Sequence, residues 1–148
     1  MKKIEEEIQQ EKFRSIHQKA VINLIYTSNW LQSKQHEFFK TLGITGQQFN
    51  ILRILKGQHP KSISGSEIKS RMLDRNSDVS RLLDRLAAKK LISRRTCPND
   101  KRATDVLITE PGIALLKQIS KTQKQDLVLC LTEEEAETLS DLLDRARG

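Results

Sequence analysis

Between residues 71 and 102 the chain carries ten basic side chains: Arg71, Arg75, Arg81, Arg85, Lys89, Lys90, Arg94, Arg95, Lys101 and Arg102. Only Asp74, Asp78, Asp84 and Asp100 oppose them in that stretch. Guanidinium and ammonium groups at this density neutralise a polyanion, and arginine does so with a planar fork that fits phosphate oxygens or the edge of a guanine. From residue 132 onward the balance reverses, with six acids against Arg145 and Arg147. A basic middle and an acidic tail suit a polyanion-facing surface held by a differently charged scaffold. A charge run taken alone is as readily a solvated helix face.

Other chemistry is poorly supplied. His17, His36 and His59 lack metal-ligand spacing, and the sequence has no Cys-x-x-Cys, so no metal site is expected. A Gly-rich phosphate loop and a Gly-x-Ser-x-Gly nucleophile turn are both missing from the sequence, so neither a cofactor nor catalysis is expected. Two cysteines in 148 residues exclude a disulfide scaffold and suit a reducing cytoplasm. Cys97 lies near Arg94, Arg95 and Lys101, which would favour its thiolate and make it a candidate redox switch. Cys130 is expected to be buried.

The net charge of +7 is carried on a chain that is 36% apolar and 4% aromatic. That makes a thin core for a monomer, so some helices are expected to bury their faces on a partner chain. The longest uncharged run, residues 20–33, is broken by Asn23, Thr27, Asn29 and Gln32. It is also shorter than the roughly 18 apolar residues that span a bilayer. Met-Lys-Lys at the start leads into Ile-Glu-Glu-Glu rather than an apolar core. No signal peptide or membrane association is expected, and the protein is expected to be soluble and cytoplasmic.

The elements that must position the basic residues follow from periodicity and caps. Residues 12–42 keep a helical spacing of Phe13, Ile16, Ala20, Leu24, Tyr26, Trp30, Leu31, Phe38 and Phe39, ended by Gly43. Thr45 with Gln48 forms a capping box for a helix that stops before Gly57 and Pro60. Ser64 with Glu67 caps a short helix over 65–73. Asn76 is the expected N-cap of the next helix, in which Val79, Leu82, Leu83 and Leu86 form the apolar face and Ser77, Ser80, Arg81, Asp84 and Arg85 the polar one. Two strands, 91–96 and 104–109, are joined by a Pro-Asn-Asp turn. Pro111 opens a helix running to about 131, and Thr132 with Glu135 caps the last one. There is no repeat and no linker, so a single domain over 1–148 is expected. Its lobe at about 43–110 is flanked by helical regions at about 5–42 and 110–146.

Helix, capped short helix, basic amphipathic helix and basic hairpin make the order of a winged helix-turn-helix: mainly α with a small β-hairpin. Asp100-Lys101-Arg102-Ala103-Thr104-Asp105-Val106-Leu107-Ile108-Thr109 resembles the wing signature of the MarR-type winged helix-turn-helix regulators, Asp-x-Arg followed by a strand ending in Leu-Thr. Asp78-Val79-Ser80-Arg81-Leu82-Leu83-Asp84-Arg85-Leu86 is similar to that family's recognition helix, and Leu91-Ile92-Ser93-Arg94 to its strand entry. Lys90 departs from the pattern, standing where the family usually has the glycine that closes the helix. The resemblance covers about residues 42–116. It implies dimerisation helices at both ends, a homodimer, double-stranded DNA as partner, and repression at a palindromic promoter operator. It also implies a small aromatic effector as a possible further partner.

Each candidate residue has a plainer reading beside the functional one. Arg81 and Arg85 contact DNA, or pair with Asp78 and Asp84 along their own helix. Ser77 and Ser80 reach base edges or phosphate, or simply cap and face solvent. Asp78 serves the helix dipole, or accepts from a cytosine amino group. Ser64, Arg71, Arg75 and Asn76 lie near helix ends as DNA candidates, while Arg94, Arg95, Lys101 and Arg102 flank the wing, with Arg102 able instead to pair with Asp100. His17, Tyr26, Asn29, Trp30 and His36 are candidate lining for an effector pocket, or ordinary core and interface side chains. The expected function is a dimeric sequence-specific DNA-binding regulator. The alternative is a non-catalytic protein-interaction module on the same scaffold.

Overall fold

The computed structural model describes residues 1–97, 100–126 and 129–148, with side chains described outside 97–103 and 123–128. The elements are α1 (Ile4–Glu7), α2 (Ile16–Thr41), α3 (Gly46–Gln58), β1 (Ile63–Ser64), α4 (Gly65–Arg71), α5 (Val79–Ala88), β2 (Ile92–Cys97), β3 (Asp100–Ile108), α6 (Glu110–Asp126) and α7 (Glu133–Arg147). Contacts divide the chain into two compact units, Met1–Gly46 and Gln47–Gly148.

In the first unit, Ser15 accepts from Gln18 N and starts α2 four residues later than periodicity alone suggests. Gly43 leaves it at φ +70, a conformation that costs a Cβ-bearing residue about 1 kcal/mol. The short α1, which periodicity does not reveal, is tied to α2. Glu5 pairs with Lys19, and Tyr26 donates to Glu7 Oε2 at 2.9 Å, while Ile4 is buried. The hydrogen bond from Lys19 holds the Glu5 carboxyl below its ordinary pKa, and the bond to Glu7 raises that of Tyr26.

The second unit is built on a three-stranded antiparallel sheet ordered β1-β3-β2. The hairpin is there as expected, with Ile92 opposite Ile108 and Arg94 opposite Val106. The two-residue β1 adds an edge that is too short to leave a period-2 signal, pairing Ile63 with Val106. The core gathers Ile51, Leu52 and Leu55 of α3, Ile68 of α4, Leu82, Leu83 and Leu86 of α5, Val106 and Ile108 of β3, and Ile113, Leu116 and Ile119 of α6. On α7, Thr132 Oγ1 accepts from Glu135 N and Glu135 Oε2 from Thr132 N, both halves of the expected capping box. Cys130 is exposed rather than buried: it falls in the connection after α6, not on a packed helical face.

Candidate nucleic-acid interface

The helix that presents the basic residues is two-faced because its apolar positions recur every three and four residues. Val79, Leu82, Leu83 and Leu86 are buried, while Ser80, Arg81, Asp84 and Arg85 are exposed. Its N-cap is Asp78, not Asn76: the Asp78 carboxylate accepts from Arg81 N at 3.2 Å. The dipole role of Asp78 is therefore the one its geometry serves. Arg81 Nε lies 3.8 Å from Asp78 Oδ2 with both side chains largely in solvent, an arrangement worth at most about 1 kcal/mol. Arg85 makes no ion pair among the described residues, so the self-pairing reading leaves it free.

Sequence reasoning missed the device that aims this helix. Asp74 accepts from Asn76 N on Oδ1 at 2.9 Å and from Gln47 Nε2 on Oδ2 at 3.0 Å, and its carbonyl accepts from Ser77 Oγ at 2.8 Å. Asn50 Oδ1 accepts from Leu73 N at 2.9 Å. The run Asp74-Arg75-Asn76-Ser77 carried the signal, since an aspartate bonding the backbone two residues on is a turn former. Ser77 thereby leaves the set of DNA-contacting candidates. It is 4% exposed and its hydroxyl is committed to the turn.

Two arginines also have intramolecular work. Arg94 shares the inward face of β2 with Ile92, two residues away, and its Nη1 donates to Asp84 Oδ1 of α5 at 2.7 Å. It is a tie between wing and helix rather than a free cation. Arg95 points to the other face and remains exposed, in register with Asp105. Arg75 Nη1 donates to Ser70 O at 3.0 Å, across the end of α4. Arg71 is exposed. Ser64 Oγ is occupied as the cap of α4, accepting from Glu67 N at 3.2 Å. The side chains of Cys97, Lys101 and Arg102, and of Asp100, lie outside the described residues, so neither the redox reading nor the Asp100–Arg102 pairing has a geometry here.

The candidate effector residues do not gather. His17, Tyr26, Asn29, Trp30 and His36 are all exposed on α2. At 100° per residue, Tyr26 and Trp30 share a face and His17 stands opposite them. From His17 to His36 the helix climbs about 28 Å. Among the described residues they are spread along α2 rather than gathered at one level, and the Tyr26 hydroxyl is taken by Glu7.

A capped short helix, a hydrogen-bonded turn, an exposed basic helix and a hairpin tied to it by Asp84–Arg94 define a winged helix-turn-helix. Residues 42–103 match the sequence profile of the MarR family. The chain is 32% identical over 108 residues to the HTH-type transcriptional regulator MhqR of Bacillus subtilis (strain 168), covering 70% of this chain and 72% of that protein. Its fold is similar to a MarR transcription factor from Planctomyces limnophilus, with TM-score 0.71 and 29% identity over 92% of this chain and 98% of that one. It is similar also to a mutant MarR from E. coli complexed with operator DNA, with TM-score 0.67, 27% identity, and coverage of 98% and 99%. The chain belongs to the MarR family of transcriptional regulators.

Proposed function

We propose that the protein is a homodimeric repressor that reads a palindromic promoter operator in double-stranded DNA and loses affinity when a small aromatic effector binds. The observation that carries this reading is the exposed face of α5. Ser80, Arg81 and Arg85 stand free of the core on a helix of the width a major groove accepts, beside the exposed Arg95 of the wing strand. Dimerisation is supported by apolar surface that a single chain leaves open: Ile16, Val21, Leu24, Ile25 and Trp30 on α2, and Leu139 and Leu142 on α7. Two-fold symmetry then asks for half-sites about one helical turn apart. An effector acts by favouring a spacing of the two recognition helices that cannot fit both half-sites.

The test is a titration against fragments of the protein's own upstream intergenic DNA, with unrelated DNA as competitor, at low and physiological salt. Specific binding should survive the competitor, protect a palindrome, and weaken steeply with salt. Arg81→Ala with Arg85→Ala should cost roughly a hundredfold in affinity. Unchanged affinity in that double variant overturns the recognition-helix assignment. Binding that the competitor erases favours the interaction-module reading instead.

A further inference from the structure

Leu73 is 81% exposed, next to Met72 at 4%. Its exposure is not that of a loose loop. Leu73 N is held by Asn50 Oδ1, and the following Asp74 is held by Gln47, Asn76 and Ser77. The chain path is thus fixed on both sides while the isobutyl group stands in water. Ser77 N donates to Asp74 O at 3.3 Å, closing a turn directly onto Asp78, the N-cap of α5. Leu73 is therefore carried at the N-terminal end of α5, the end that meets base edges when such a helix docks. Arg71 and Arg75 flank it in sequence, both exposed.

An apolar side chain flanked in sequence by two arginines does nothing for a phosphate. The apolar feature that a major groove displays is the C5-methyl group of thymine. We propose that Leu73 is a specificity-determining residue that packs on a thymine methyl in each half-site, an inference that rests on the DNA-binding reading above. It adds an apolar reader ahead of a helix that exposes Ser80, Arg81, Asp84 and Arg85, and it discriminates thymine from cytosine at one position without a hydrogen bond.

The experiment compares wild type and Leu73→Ala on the duplex footprinted from the upstream intergenic DNA, and on the same duplex with uracil replacing one thymine at a time. Leu73→Ala should bind about five- to tenfold more weakly, with an unchanged salt dependence and an unchanged melting temperature. In the wild type, one uracil position per half-site should reproduce that loss, and in Leu73→Ala the same uracil should cost nothing further. Equal affinity of the two proteins overturns the inference and leaves the regulator reading intact. So does a loss that is as large on unrelated DNA, which would place the leucine on sugar rather than base. So, too, does a uracil penalty that persists in the variant. If the wild type forms no specific complex with any fragment, the regulator reading falls and this inference with it.

Discussion

Lys90 stands at φ +61, in the left-handed region, at the end of α5. Leu91 N donates to Leu86 O and Lys90 N to Ala87 O, the paired bonds of a Schellman ending, in which the left-handed position ordinarily goes to glycine. A lysine there carries about 1 kcal/mol of backbone strain. Lys90→Gly should raise stability by about 0.5–1 kcal/mol, seen as a higher urea midpoint at an unchanged m-value. Gly112 is the opposite case. A Cβ there would collide with Leu91 O and sit 2.7 Å from Ile108 Cγ1, and neither a backbone carbonyl nor a core side chain can retreat freely. Gly112→Ala should cost about 1–3 kcal/mol, read as a lower urea midpoint. The two positions meet in one corner, since Thr109 Oγ1 donates to Lys90 O at 2.8 Å and accepts from Gly112 N at 3.3 Å. That corner sets where the wing leaves α5 and where α6 begins.

Among elements, α5 and β2 are joined at their polar side by the Asp84–Arg94 pair at 2.7 Å. The pair is partly exposed, so its contribution to stability is small, about 1 kcal/mol or less. Its value is geometric: it ties the wing strand to α5 and commits one guanidinium to a carboxylate. Asp84→Asn should release Arg94. Non-specific DNA binding should then tighten, its salt dependence should steepen by about one phosphate contact, and the specific-to-nonspecific ratio should narrow. Titrations at several salt concentrations on operator and unrelated duplexes read all three. An unchanged ratio would show that the pair does not position the wing.

At the scale of the whole molecule, the proposed dimer is tested at the exposed apolar residues of α2. Val21, Leu24 and Ile25 are 55%, 48% and 56% exposed and share one side of α2 by their three- and four-residue spacing. In a basic chain of 148 residues such a stripe is costly to leave in water. Val21→Glu with Ile25→Glu should shift the protein to monomer in sedimentation and reduce operator affinity far more than non-specific affinity, because only the dimer reaches two half-sites. A variant that sediments as the wild type does would move the dimer interface elsewhere.

Much of this architecture was legible in local sequence. Thr132 with Glu135 and Ser64 ahead of Glu67 marked helix starts that their side chains do cap. The spacing of Val79, Leu82, Leu83 and Leu86 named the buried face of α5, and so the face that Arg81 and Arg85 occupy. These features depend on neighbours a few residues apart, which periodicity and capping chemistry can read. What only the tertiary structure decided involves partners far apart in the chain. Arg94 is claimed by Asp84 across ten residues, Leu73 by Asn50 across twenty-three, and β1 by β3 across some forty. The difference between a free arginine and a committed one lies in which acceptor the fold brings within about 3 Å. No local pattern carries that distance.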